Sequence, residues 1–178
     1  ALPAQAVRGG DDAVRLTFRS ITGSRADAVR VPDGYSAAVL VGWGDPLWPD
    51  ASSLDTRGLA RGALFEPGAA AAQERQFGYN CDAIAFFALD REGRRGLLCV
   101  NHEYTNDELM FPGRIGLGRE GAAVLTEWCR RHPEAARVSL AAHGATVLEV
   151  EMQRSGWRVR RDSRYTRRLT GTTPIELT

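Results

Sequence analysis

Two short polar clusters hold the residues with the clearest potential for chemistry. The first cluster is Asn80, Cys81 and Asp82, which directly precede an apolar run at 83–89. The second is His102 and Glu103, which follow an apolar run at 96–101. A thiolate, an imidazole and carboxylates mix soft and hard donors, a combination that suits iron or zinc better than magnesium. If the two clusters meet, they form a candidate transition-metal site.

The spacing of the two apolar runs indicates that the clusters do meet. The runs flank the polar loop 90–95, which is the arrangement of a β-hairpin. In an antiparallel hairpin the start of one strand lies beside the end of its partner, so Cys81 and Asp82 are expected near His102 and Glu103. Two alternatives stay open. A single cysteine without a CxxC pair is weak evidence for metal, and His102 could be a buried histidine that only donates and accepts hydrogen bonds.

Other motifs give weaker evidence for a functional site. Cys99 and Cys129 have apolar neighbours and are predicted to be buried, inert thiols. Three cysteines also argue against a disulfide framework. The stretch "GRIGLGREG" lacks the spacing of a phosphate-binding loop, and no GxSxG motif is present. The arginines of "WRVRRDSRYTRR" are predicted to form a solvated strand face, with phosphate binding as the alternative.

The composition is that of a globular protein. The 178 residues are 43% hydrophobic and 25% charged, with a net charge of +1, which gives no argument for binding nucleic acid or an anionic membrane. No segment approaches the ~18 consecutive apolar residues of a membrane helix. The opening "ALPAQA" resembles what remains after an export signal is removed, although no charged or strongly apolar signal region precedes it.

The elements expected to position the clusters are mainly strands. Alternation and turn signals predict strands at 14–21, 37–41, 83–89, 96–101, 146–152 and 157–161, with a turn at Pro32-Asp33-Gly34. Residues 46–74 show no sustained period and are predicted to be irregular. One helical face is predicted from Val124, Leu125, Trp128 and Cys129, and a second helix from Pro133 to a cap at Gly144. The fold class is therefore mainly β, built from antiparallel hairpins with a short helical insertion.

Five segments in chain order resemble one known family. They are "VPDGYSAAVLVGWGDPL", "FGYNCDAIAFF", "GLLCVNHEYTNDELMFPG", "AAHGATVLEVE" and "TRRLTGTTPIEL". Together they resemble the PhoX-type alkaline phosphatases from about Val29 to the end of the sequence. The resemblance implies a β-propeller with inserted helices, and a bacterial phosphomonoesterase that is exported folded to the periplasm or the exterior for phosphate acquisition.

The same resemblance implies a site with iron and calcium, in which a cysteine binds one iron. That role is carried over to Cys81, the one cysteine in a polar loop. Glu103 is the carboxylate expected as a further ligand, and Asp82 and His102 are weaker candidates for the same metals. Asn80 is expected beside the substrate, a phosphate monoester. The resemblance gives no expectation for the oligomeric state.

The length of the chain limits how much of the family's site it can contain. Members of the family are several times longer, so we predict an N-terminal segment at 1–28 and an incomplete, N-terminal portion of the propeller domain at 29–178. Further carboxylate ligands and a substrate-binding arginine would then lie beyond Thr178. Two other functions stay open, a non-catalytic binding or assembly module derived from a β-propeller and a zinc hydrolase of another class. Metal content would separate the three.

Overall fold

The computed structural model describes residues 18–112 and 122–176, and it divides into two compact units, Ala1–Val39 and Leu40–Thr178. In the described part of the first unit, the rings of Phe18 and Tyr35 pack edge to face at 5.7 Å. The turn predicted at 32–34 is confirmed by a hydrogen bond from the Tyr35 amide to the Pro32 carbonyl. The boundary predicted at 28/29 stays a prediction.

The first two predicted strands are not present where the structure can test them. Residues 18–21 and 37–41 form no strand, and 14–17 lie outside the described residues. Alternation alone does not make a strand, because each extended segment also needs a neighbour to satisfy its backbone groups. Leu40 and Val41 instead pack against the core of the second unit.

The second unit is organised around a five-stranded antiparallel sheet, as the mainly β prediction required. The strands run in the order β1-β2-β3-β4, and the short β5 pairs with the first part of β3, whose last part pairs with β4. A single sheet does not establish a propeller, so that part stays a prediction. The strands are β1 (Cys81–Ala88), β2 (Arg95–His102), β3 (Gly144–Gln153), β4 (Gly156–Arg160) and β5 (Arg167–Leu169).

The β1–β2 hairpin is confirmed, but the burial predicted for its first strand is wrong. Strand β1 lies at the edge of the sheet, and its residues are exposed except for a half-buried Phe86. Ile84 and Phe87 expose 59% and 58% of their surface. An edge strand pairs on one side only, so an apolar sequence does not by itself bury it.

Helices are more numerous than the single insertion predicted. The predicted helical pair is confirmed and breaks at His132, where Pro133 begins the second helix. Shorter helices also occupy the stretch predicted to be irregular, and one follows β2. The helices are two 3₁₀ segments (Thr56–Arg61 and Ala63–Phe65), α1 (Ala69–Gln73), α2 (Asp107–Met110), α3 (Ala122–Arg131) and α4 (Pro133–Ala142).

Gly144 does not cap α4 as predicted. His143 ends that helix, and Gly144 begins β3 with a φ of 108°. A Cβ atom on Gly144 would lie 2.1 Å from the carbonyl oxygen of Leu169. The glycine is therefore required because β5 passes directly against the start of β3.

Two apolar clusters hold this unit together. The helical cluster contains Leu64, Met110, Phe111, Ala135, Val138 and Ala142. The sheet cluster contains Leu47, Phe77, Val100, Leu148 and Val150. Cys99 and Cys129, predicted to be buried, are half-buried. Across residues 18–112 and 122–176, no helix has the length and apolar character needed to cross a bilayer.

Candidate functional site

The two polar clusters lie at the same end of the β1–β2 hairpin, as predicted. The Cα atoms of Cys81 and His102 are register partners, and Glu103 follows directly. The register then shifts between Cys81 and Ile84, so that β1 carries one extra residue. A bulge of this kind breaks the alternation of side chains and turns the first residues of the strand away from the regular sheet faces.

Asn80 enters β1 in a conformation that few residues adopt. Its φ of 50° is the left-handed value, and among residues 18–112 and 122–176 it is the one non-glycine residue with a positive φ. Asparagine tolerates this conformation better than most residues, yet it still costs on the order of 1 kcal/mol. The strain is maintained because the chain on both sides of Asn80 is held by other contacts.

Segment 76–80, which leads into Cys81, is anchored along its length. The Phe77 amide donates to the Asp45 carbonyl at 2.8 Å, and the Tyr79 amide donates to the Ala142 carbonyl at 3.0 Å. Gly78 packs so closely that a Cβ atom there would lie 2.5 Å from the His102 ring. The position of the cysteine is therefore determined by contacts from several elements rather than by β1 alone.

Cys81 has the surroundings of an uncharged thiol. Its side chain is exposed, yet the protein around the sulfur removes enough water to raise the thiol pKa. Without a bound metal or a nearby cation, the group is protonated at neutral pH. Cys81 is thus poorly suited to act as a free nucleophile, whereas a coordinated metal ion would deprotonate it.

His102 is buried and neutral. It exposes 1% of its surface, its ring packs edge to face on Phe77 at 4.7 Å, and its Nε2 lies 2.8 Å from the Thr146 hydroxyl. Burial, together with the positive charge of Arg168, lowers the pKa of His102 to about 4. Nδ1 makes no hydrogen bond of normal geometry with a described residue, although the backbone of Tyr79 and Asn80 lies close enough to favour the charged form slightly. These surroundings match the hydrogen-bonding alternative for His102.

The predicted carboxylates Asp82 and Glu103 follow the register pair Cys81 and His102 at this end of the hairpin. Asp82 and Glu103 are exposed, and Asp107 is buried with its carboxylate accepting from the hydroxyls of Thr105 and Ser139. Within the described ranges, no three His, Cys, Asp or Glu side chains are grouped so that they could hold a metal ion. The residues fit a metal centre in kind, with a thiol and a carboxylate at one sheet end, but not in number.

One residue of this region was missed by the sequence analysis. Arg168 was predicted on a solvated strand face, but it is half-buried. It donates to the carbonyls of Gln76, Ala141, Ala145 and Leu169. Burial lowers the pKa of Arg168 to about 10, which leaves it charged at neutral pH. No periodicity distinguishes it from Arg167, its exposed neighbour.

The opposite end of the sheet carries an ion network. The Glu149 carboxylate, 3% exposed, accepts from Arg95 Nε at 2.5 Å and from the Ser163 hydroxyl, and Arg160 lies 3.6 Å away. Arg95 lowers the pKa of Glu149, and Ser163 and Arg160 add to this effect against the opposing effect of burial. A cavity of about 400 Å³ opens beside these groups. The buried Glu149 carboxylate is therefore already paired within the network.

The chain was compared with protein-family models, solved structures and curated sequences. The family model described as "Alkaline phosphatase PhoX" matches residues 16–178. Among solved structures, Pseudomonas fluorescens PhoX in complex with vanadate, a transition state analogue, is 34% identical with a TM-score of 0.65. The match covers 86% of this chain and 23% of that one, so the chain spans about a quarter of the length of the structure it matches. No curated protein sequence matches.

Proposed function

The chain belongs to the PhoX family of alkaline phosphatases, and from this we propose that it contributes to metal-dependent hydrolysis of phosphate monoesters. One observation carries the proposal: the family match extends over residues 16–178 and so includes both polar clusters at the end of the β1–β2 hairpin. Phosphate acquisition outside the cytoplasm, a β-propeller fold and the use of iron and calcium belong to the same proposal.

Cys81 is the residue that would hold iron. A thiolate is a strong ligand for iron, and the exposed position of Cys81 leaves its sulfur accessible. Glu103, exposed at the same sheet end, would add a carboxylate. The remaining ligands must come from outside the described residues, because those residues form no complete group.

Metal ions in such a site supply charge neutralisation on the phosphoryl oxygens and activation of the attacking oxygen. The described residues supply other functions. The Asn80 amide, held beside Cys81 by its left-handed backbone, would donate a hydrogen bond to a phosphoryl oxygen. His102 stays neutral and supports the chain on which both residues lie, since Gly78 packs directly on its ring.

The test is replacement of Cys81 by serine in the full chain. Serine is nearly isosteric but presents no soft thiolate, so we expect loss of iron and a fall in p-nitrophenyl phosphate hydrolysis greater than the ~10–100-fold typical of outer-shell changes. The fold should survive because Cys81 lies at the exposed start of an edge strand. Iron content, reaction rate and circular dichroism are measured on the same preparation.

Cys99→Ser is the matched control, because Cys99 is also in the hairpin but pairs with Ala85 away from the polar end. It should keep iron and activity within a few-fold of the wild type. If Cys81→Ser keeps full iron and activity, the assignment of Cys81 is wrong. If a wild-type protein of the family's full length holds no metal and has no phosphatase activity, the non-catalytic binding module is favoured instead.

A further inference from the structure

The first residue of segment 76–80 accepts a hydrogen bond from the side chain of Arg168. Of the four hydrogen bonds that this guanidinium makes to described residues, every one goes to a backbone carbonyl. Glu74 is the carboxylate that acts on it electrostatically, yet burial still lowers its pKa. A half-buried cation that binds carbonyls from separate segments serves to hold those segments together.

The four carbonyls come from the elements that surround the cysteine. Nε donates to Gln76, at the start of segment 76–80, at 3.1 Å. Nη2 donates at 2.6 Å to Ala141, in the last turn of α4, where free carbonyls and the helix dipole favour a cation. Nη1 donates to Ala145 in β3 and to Leu169 in β5. One side chain thus joins segment 76–80 to a helix and two strands.

The same segment depends on α4 at its other end. The Tyr79 amide bonds the carbonyl of Ala142, the residue after the one that Arg168 holds. Asn80 follows directly in its left-handed conformation, and Cys81 comes next. If the arginine were lost, the Gln76 carbonyl and the last turn of α4 would no longer share a donor, and the strained turn at Asn80 would be held by fewer contacts.

We propose that Arg168 is a positioning residue for the phosphatase site, because it fixes segment 76–80 and thereby the placement of Asn80 and Cys81. The proposal rests on the proposed function for the role of those two residues. It differs from a substrate-binding role for the arginine, since the guanidinium is directed at backbone carbonyls.

The test compares Arg168→Met, Arg168→Lys and Arg167→Met in the full chain. Methionine keeps length but removes all donors, whereas lysine keeps the charge but cannot reproduce the planar fork. Arg167 is the control, because it is the neighbouring arginine in β5, is exposed, and bonds the nearby carbonyls of Arg164 and Thr166.

Hydrogen exchange and thiol labelling are the first readouts, and neither needs a metal. In Arg168→Met we expect the amides of Phe77 and Tyr79 to exchange at least ~10-fold faster, with β4 unchanged. The labelling rate of Cys81 should change relative to Cys99 and Cys129 in the same metal-free sample. Arg168→Lys should fall between Arg168→Met and the wild type, and Arg167→Met should match the wild type.

Iron content and kinetics are the second readouts. We expect kcat to fall ~10–100-fold in Arg168→Met with KM changed less than about 3-fold, since outer-shell losses act on geometry. Wild-type exchange in Arg168→Met, or faster exchange throughout the chain, would overturn the proposal, as would a loosened segment with unchanged iron and kcat. If the methionine variant does not fold, Arg168→Lys decides by the same criteria. Absence of iron and activity from a wild-type protein of the family's full length would instead refute the proposed function, and exchange and labelling would still decide whether Arg168 positions Cys81.

Discussion

Buried ionisable side chains are stabilised differently at the two ends of the β-sheet. At the end near the β1–β2 loop, Glu149 is neutralised by Arg95 and Arg160. At the other end, Arg168 is surrounded by carbonyls and His102 is uncharged. At the loop end the buried carboxylate is paired with arginines. At the Cys81 end the buried groups instead hold the chain, and Cys81, Asp82 and Glu103 are exposed.

This comparison shows that a cluster of charged and polar side chains does not by itself identify a functional site. The loop end has a cavity lined by charged side chains, but its buried carboxylate, Glu149, is already paired with Arg95 and Arg160. The Cys81 end has a bulge, a left-handed asparagine and close backbone packing, which together fix the backbone beside an exposed thiol. Three further measurements test this contrast.

The largest effect is expected from Gly144→Ala compared with Gly156→Ala. Gly144 begins β3 and Gly156 begins β4, and both have a positive φ, 108° and 112° respectively. A Cβ atom on Gly144 would meet the Leu169 carbonyl at 2.1 Å, whereas one on Gly156 would meet nothing within 4 Å. Urea denaturation should show a loss of about 4 kcal/mol for Gly144→Ala and about 1 kcal/mol for Gly156→Ala. Equal losses would mean that the two ends are not packed differently.

The next effect concerns acid stability and His102. Its folded-state pKa of about 4 lies below the ordinary value of 6.5, so the unfolded chain binds the proton first as pH falls. The associated stability is fully present above pH 6.5 and is lost as pH falls toward 4. The shift corresponds to about 3 kcal/mol.

The variant that checks this is His102→Gln, which removes the titrating group and keeps a polar side chain near Thr146. Denaturation curves at pH 7, 5.5 and 4 should show a much smaller loss for the variant than for the wild type. The same pH dependence in both would show that His102 is not a source of the acid sensitivity.

The smallest effect is expected at the loop end. Glu149→Gln leaves Arg95 without its charged acceptor and should cost about 2 kcal/mol at pH 7. Glu151→Gln is the control, because Glu151 is more exposed and lies 3.9 Å from Arg160, and its loss should stay within about 0.5 kcal/mol.

The pH dependence of this effect has a defined sign. The pKa of Glu149 is lowered from an ordinary value of 4.5, chiefly by the hydrogen bond from Arg95, so its stabilisation is present above pH 4.5. The difference between wild type and Glu149→Gln should shrink as pH falls below that value. A constant difference from pH 7 to pH 3 would contradict the assignment of the effect to the carboxylate charge.

Local pattern predicted much of the fold of the second unit. The β1–β2 hairpin, the break between two helices at His132 and Pro133, and strands β3 and β4 all follow from apolar spacing and turn residues, whereas the short β5 was not predicted. Those features depend on neighbours a few residues apart, which a sequence displays directly. The strands predicted before residue 42 are absent from the described residues 18–21 and 37–41, because alternation carries no information on whether a partner strand is present.

The sequence pattern was enough to predict that Cys81 and His102 lie side by side, because an antiparallel hairpin pairs the start of its first strand with the end of its second. Only the tertiary structure decided that β1 is an exposed edge, that His102 is buried against Thr146, and that Arg168 rather than Arg167 turns inward. Each of these depends on contacts between elements distant in sequence. Burial, and with it the charge state of a side chain, is a property of that packing and not of the residue type.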